Sequence, residues 1–331
     1  RSIWTAASHA SAMLDALGAL AKASTTAGYC RPVIKECKHD DSPSIFVRQG
    51  RHPCVDITHS GDDFTPNDLA LGGNTDSDSS RVLLLSGPNM GGKSTLLRQT
   101  CLIAILAQIG CFVPAEECTL TPFDRIFTRL GASDRILLGQ STFFVELAET
   151  ATALRGATRR SLCIFDELGR GTSTFDGTAI ASAAVKHLVE KNQCITLFAT
   201  HYHSLLEDWK DQPSVRLGHM ECFVEDETNE SESTDDDQNN ADPDITFLYT
   251  LGEGSCPKSF GINVARLAGL PSDVLKKAKE VSSSFEESLN NGNNNISMTG
   301  SEVVSLKSQL MAAVKEKNVT DIKRLWEQLQ G

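Results

Sequence analysis

The stretch VLLLSGPNMGGKSTLLRQT, Val82 to Thr100, leaves this chain few folds to choose from. Val82 to Leu85 is a short, almost purely apolar run, which suits a strand buried on both faces. Gly87 to Ser94 then fits G-x-x-x-x-G-K-[ST] position by position. Leu96, Leu97, Leu102, Ile103 and Ile105 follow at roughly helical spacing. Strand, glycine loop, helix is the setting in which this pattern cradles a phosphate. The glycines let backbone N–H groups turn inward around a β-phosphate. Lys93 brings a point charge to the β/γ oxygens, and the Ser94 hydroxyl can ligate Mg²⁺. The helix N-terminus adds favourable partial positive charge.

Binding is half of the chemistry, and a second motif supplies the other half. Leu162 to Phe165 is another apolar run, and it ends in two acids. Asp166 is placed to hold Mg²⁺, and Glu167 to polarise an attacking water. An Asp-Glu pair after a strand is common in surface turns. Here it lies downstream of the glycine loop and upstream of Thr200-His201 at the end of a third apolar run, where His201 can sense a γ-phosphate. His203 completes an H-x-H, but no further ligands lie at zinc spacing, so a solvated histidine is expected. Gly169-Arg170-Gly171-Thr172-Ser173-Thr174 is too flexible a loop to set beside a catalytic acid unless something approaches its backbone. A second subunit is the expected visitor. Gly139-Gln140-Ser141-Thr142 caps a helix; Ser141 is either an ordinary N-cap or a donor to a nucleotide held by the partner.

The formal net charge of −12 does not exclude nucleic acid, because it is concentrated. Glu225 to Asp244 carries ten acids and no base, and the remainder is close to neutral. That segment is too polar to bury a core and is expected to be a self-repelling loop. The ten cysteines form no C-x-x-C, and Cys101, Cys163 and Cys194 sit inside apolar runs as small hydrophobes. A reducing compartment is expected. No signal peptide and no membrane-spanning run is visible, so no membrane partner is expected. The start at Arg1 rather than Met is expected of a piece of a longer protein.

Periodicity gives the organisation. Residues 1 to about 27 read as a helix, and Ile45–Val47 as a strand. Helices are expected over Phe143–Arg155 and Thr178–Glu190, and strands over Arg125–Leu130, Ile195–Ala199 and Ile245–Thr250. Gly72–Ser80 reads as a polar turn. Alternating strands and helices imply a mostly parallel sheet covered on both faces. Phe260–Ala268 and Ser272–Ser283 form a helix–turn–helix by shape. An Asn/Gly linker near Asn290–Asn295 and an amphipathic helix from Glu302 to about Leu329 follow.

GPNMGGKST, the run Phe127 to Thr150, DELGRGTSTFDG (Asp166 to Gly177) and FATHYHSL (Phe198 to Leu205) together resemble the ATPase domain of the MutS mismatch-repair family. The likeness covers roughly Arg51 to Ser283. VRLGHM (Val215 to Met220) and CPKSFGINVARLAGLP (Cys256 to Pro271) are most similar to a eukaryotic homologue that works as a heterodimer. The resemblance implies an α/β fold: an ABC-type P-loop NTPase with a mixed, mostly parallel sheet, and a C-terminal helix-turn-helix that docks on the partner. It implies the end of lever helices and a junction over 1–45, an ATPase domain over 46–250 with the acidic insertion 225–244, the helix-turn-helix over 251–285, and a linker and tail over 286–331. It implies ATP stacked on Phe64 and cradled by Gly87, Pro88, Asn89, Met90, Gly91, Gly92, Lys93, Ser94 and Thr95. Mg²⁺ would be held by Ser94 and Asp166, water directed by Glu167, His201 would be the sensor, and Ser141 would act across a dimer. The partners implied are a second MutS homologue, a MutL-type protein and mismatched double-stranded DNA, in the nucleus. Phe144, Phe165 and Phe223 each begin a Phe-x-Glu, but all lie in or beside the ATPase core, so none is expected to be a DNA wedge. The competing readings are a transporter motor, which Gly139–Thr142 fits poorly as a signature; a scaffold that binds without hydrolysing, against which both acids argue; and a family member acting in meiotic recombination.

Overall fold

Strands and helices are interleaved from Ser44 onward in the computed structural model. It describes residues 2–36, 42–58, 64–73, 80–131, 141–224, 245–256 and 260–294. The acidic segment 225–244, Gly139, Gln140 and the tail beyond Asn294 lie outside the described residues. The elements are α1 (Ser2–Ser24), β1 (Tyr29–Cys30), β2 (Val33–Ile34), β3 (Ser44–Gly50), α2 (Val55–Thr58), β4 (Asn67–Gly72), β5 (Val82–Ser86), α3 (Lys93–Gln108), β6 (Val113–Pro114) and β7 (Glu117–Leu120). Then come β8 (Ile126–Arg129), α4 (Thr142–Gly156), β9 (Leu162–Asp166), α5 (Thr174–His187) with a π-turn over Leu188–Asn192, β10 (Ile195–Ala199), α6 (His203–Trp209), β11 (Val215–Val224), β12 (Ile245–Glu253), α7 (Gly261–Leu267) and α8 (Ser272–Asn294). Two compact units divide the chain, Arg1–Gly261 and Ile262–Gly331.

The first unit is built on a six-stranded sheet in the order β12-β11-β5-β10-β9-β8. Its strands run parallel except β12, which pairs antiparallel with β11. The apolar runs are unbroken rather than alternating because both faces are covered. In β5, Leu83 and Leu85 enter a core shared with α3 and with Ile45, Val47, Leu69 and Leu71. Val82 and Leu84 point the other way, into a core with Ala153 of α4, Ala181 and Val185 of α5, and Leu205 and Leu206 of α6. Phe165 and Phe198 stack in that second core with ring centroids 5.6 Å apart. Each leucine so buried contributes about 1.5–3 kcal/mol. The described cysteines are free thiols, and Cys101, Cys163 and Cys194 pack in the cores.

A second sheet, β2-β7-β3-β4, covers the α3 side. It was only partly visible to periodicity: β3 was, but β4 and β7 were not, and neither was β11 in the first sheet. The run NDLALG of β4 does alternate, with Asn67, Leu69 and Leu71 inward. Its period is short and opens on a polar residue, so it reads as loop. Gly72 belongs to this strand and not to a turn. The helix expected from Thr178 starts one turn earlier, at Thr174. Ser173 caps it by accepting the Asp176 N–H at 3.2 Å. Helix α7 ends at Leu267, and two residues on Gly269, with φ of +80°, lets Leu270 N–H reach Ala265 O at 3.1 Å. The two expected helices are present, but α8 continues to Asn294 through the stretch expected to be a linker.

Candidate nucleotide site

Register gathers the three motifs at one edge of the sheet. Leu85 of β5 lies opposite Ala199 of β10, and Ala199 lies opposite Asp166 of β9. Ladder bonds continue one residue past the strands: Thr200 N–H donates to Leu85 O at 2.9 Å and Glu167 N–H to Ala199 O at 3.0 Å. The glycine loop, the acid pair and His201 therefore leave the sheet side by side at its carboxyl end, where open α/β sheets bind ligands.

The loop from Gly87 to Gly92 needs its glycines for two separate reasons. Gly87 and Gly92 have φ of +130° and +95°, which side chains disfavour. A Cβ on Gly87 would also lie 3.1 Å from the backbone nitrogen of Met220 on β11. Helix α3 starts at Lys93 with no side-chain cap on Gly92, so its first N–H groups are left facing the loop's hollow. Lys93 is 4% exposed, and its Nζ donates to Gly87 O at 2.8 Å and Pro88 O at 3.0 Å. Burial lowers its pKa, opposed by Glu167 and Asp166.

Ser94 Oγ donates to Asp166 Oδ2 at 2.7 Å, joining the start of α3 to the end of β9. The other oxygen, Asp166 Oδ1, is buried without a hydrogen-bond partner among the described residues. A buried carboxylate oxygen left open beside a hydroxyl is the hard-oxygen donor set that Mg²⁺ takes, with waters and phosphate oxygens completing the shell. The residues present thus fit that ion.

Glu167 follows with φ of +56°, unusual for a side-chain-bearing residue. Its Oε1 lies 2.5 Å from His201 Nε2, and its Oε2 accepts from Arg170 Nη1 at 2.5 Å. The hydrogen bond from His201, against the opposing effect of burial, holds the Glu167 carboxyl down at about 2; the charges of His201, Arg170 and Lys93 add to it. His203 begins α6, and no cluster of three metal-ligating side chains exists among the described residues.

A cavity of ≈ 550 Å³ opens over the loop, and Phe64, Lys93, Ser94 and Glu167 line it together. Pro88, Asn89, Met90, Gly92 and Thr95 line it as well. Asp166 and His201 join through their bonds to Ser94 and Glu167. Ser141 is not in this lining; it caps α4, accepting the Phe144 N–H at 3.2 Å. Sequence reasoning missed Met220 and Tyr249, which also line the cavity and lie close against the glycine loop. Tyr249 has φ of +58° and is held by Asn67, which donates from Nδ2 to Tyr249 O at 2.8 Å and accepts the Leu251 N–H at 2.7 Å. The Asn67 beside Phe64 in the sequence was the available signal.

The glycine-rich loop after Glu167 is a partial correction. A visitor from a second subunit was the expected reason for its glycines. At Gly169 the visitor is internal: a Cβ there would stand 2.5 Å from Gly177 O of α5. Gly171 likewise faces Phe143 of α4, 2.9 Å from where its Cβ would be.

Comparison with known proteins places these residues in a family. The model described as MutS domain V matches residues 83–286, more than half of the chain. The DNA mismatch repair protein Msh6 of Gallus gallus is 52% identical over 288 residues, covering 86% of this chain and 21% of that protein. The Homo sapiens protein of the same name is 52% identical over 290 residues, covering 86% and 20%. DNA mismatch repair protein Msh3 of Dictyostelium discoideum is 44% identical over 278 residues, covering 83% and 19%. The chain thus spans about a fifth of the length of the curated relatives it matches.

Proposed function

The chain belongs to the MutS family, and on that premise we propose that it hydrolyses Mg²⁺-ATP and thereby switches a clamp on mismatched double-stranded DNA. The observation that carries the Mg²⁺-nucleotide part is the open Oδ1 of Asp166, buried beside Ser94 at the glycine loop. A structural turn would have satisfied that oxygen, because an unpaired buried acceptor costs about 1–3 kcal/mol.

In this reading the adenine stacks on Phe64, and the loop N–H groups from Asn89 to Thr95 take the phosphates. Lys93 leaves the carbonyls of Gly87 and Pro88 for the β/γ oxygens. Ser94 and Asp166 hold Mg²⁺, which neutralises charge on the oxygens of the transferred phosphoryl group when bound. Glu167 orients the attacking water. Its Oε1 is engaged by His201 and its Oε2 by Arg170 in this structure, and each oxygen keeps a second lone pair with which to accept a hydrogen bond from that water. His201 then faces the γ-phosphate.

Ser141 is proposed to serve the nucleotide of a second MutS homologue, since it caps α4 away from this chain's own cavity. Val274, Val281 and Phe285 form an exposed apolar stripe on α8, which suits docking on that homologue. Mismatched DNA, a MutL-type protein and a nuclear location belong to the same proposal for the full-length protein. Among the described residues no helix is long and apolar enough to cross a membrane.

Asp166→Asn is the test. It keeps the hydrogen bond to Ser94 but removes the charge that holds the ion. Nucleotide affinity should become insensitive to Mg²⁺ while affinity in EDTA stays as in the parent. A variant whose affinity still rises with Mg²⁺ as the parent's does would show that Asp166 is not the ion's ligand.

A further inference from the structure

We propose that Glu146 is a positioning residue whose oxygen, by accepting the Gly169 N–H, holds Glu167 in place for the hydrolytic step. The inference rests on the reading of Glu167 as the group that orients water.

Glu146 lies on α4, and its side chain turns inward, 4% exposed. Its Oε2 meets Nη2 of Arg129 at the end of β8, 3.1 Å away, and Arg129 is itself 7% exposed. Arg129 also donates to Gly131 O, which fixes the guanidinium from a second side. The free oxygen of the pair, Glu146 Oε1, accepts the Gly169 N–H at 2.5 Å. Gly169 stands two residues after Glu167.

Glu167 is thereby pinned from both directions along the chain. On its N-terminal side its own N–H is tied to Ala199 of β10. On its C-terminal side the backbone is tied to α4 through Gly169 and Glu146. Gly169 also packs closely on α5, where a Cβ on it would stand 2.5 Å from Gly177 O. A residue at φ +56°, such as Glu167, keeps that conformation only where its surroundings impose it. A carboxylate accepting a backbone N–H is about twice as strong a tether as a neutral acceptor.

The plainer role, an ion pair joining β8 to α4, makes a different forecast. A buried pair replaced by apolar residues of similar volume often costs nothing in stability. The loss of function should therefore follow the acceptor for Gly169 and not the charge.

Two double variants separate these roles in the full-length protein assembled with its partner homologue, read by single-turnover hydrolysis and by binding of a fluorescent ATP analogue. Arg129→Met with Glu146→Gln removes the charges but keeps an oxygen for Gly169. Its rate should stay within about threefold of the parent, as expected when alignment is kept. Arg129→Met with Glu146→Met removes the acceptor as well. Its rate should fall by about 10–100-fold at unchanged analogue affinity, the effect of a small misplacement of a catalytic group. Equal rates in the two, or a rate loss that tracks lost affinity, overturn the proposal. Should the double-Met protein fail to fold, Glu146→Asp keeps Arg129 paired but is a methylene too short to hold Gly169 as well. It should show the same selective rate loss, and a parental rate overturns the proposal. Glu167→Ala runs alongside. If it hydrolyses normally, the base reading and this proposal fall together; if it is inactive beside an unaffected double-Met protein, this proposal alone falls.

Discussion

Glu167 shows how neighbours distant in sequence set the conformation and charge of one residue. It is only partly exposed, takes a disfavoured φ, and has both carboxylate oxygens occupied by His201 and Arg170. The carboxyl is held at about 2, below the usual 4.5, first by the His201 hydrogen bond. Ionised Glu167 therefore favours the folded state. That contribution is whole above pH about 4.5 and is lost as pH falls towards about 2. Thermal melts of the parent and Glu167→Gln should differ by a constant amount above about pH 5, and the gap should shrink through that acid window. A gap that stays constant down to pH about 2 would mean the contacts do not favour the ionised form. Glu167 was legible as a candidate functional acid because two acids end an apolar run. Its conformation and its latch to Arg170 were not, because they depend on groups brought in by the fold.

At the scale of elements, legibility followed burial. Strands β5, β9 and β10 are covered on both faces, so their apolar runs announced them. Strands β4, β7 and β11 pair through shorter or more polar runs, and their partners are set by tertiary contacts such as Asn67 with Tyr249 and Leu251, some 180 residues apart in sequence. Glu146 was invisible for a related reason. An acid in a helix reads as a solvated face until Arg129, 17 residues earlier, is seen beside it. Helix α4 carries both Glu146, turned inward, and Ser141 at its start. If Ser141 serves a partner's nucleotide, Ser141→Ala should slow hydrolysis at the partner's site and spare nucleotide binding at Lys93. ATPase assays of mixed dimers, each with one P-loop lysine disabled, read the two sites separately. An effect confined to the site of its own chain would contradict action across the dimer.

For the whole molecule, the charge has its own explanation. The acids of residues 225–244 account for ten of the net twelve negative charges. Their composition cannot bury enough apolar surface to support a core. Deleting residues 226–242 should leave the melting temperature and ATPase rate near those of the parent, and a collapsed melt would show that the segment is structural. The sheet, its two cores and the cavity bring four sequence-distant groups together: Phe64, Lys93 with Ser94, Asp166 with Glu167, and His201. The central claim is that this assembly hydrolyses ATP and does not merely bind it. Single-turnover hydrolysis by Glu167→Ala in the full-length heterodimer tests this most directly, with nucleotide affinity measured on the same sample. Affinity should be retained while the chemical step slows by about 10²–10⁴-fold; hydrolysis at the parental rate would contradict the account.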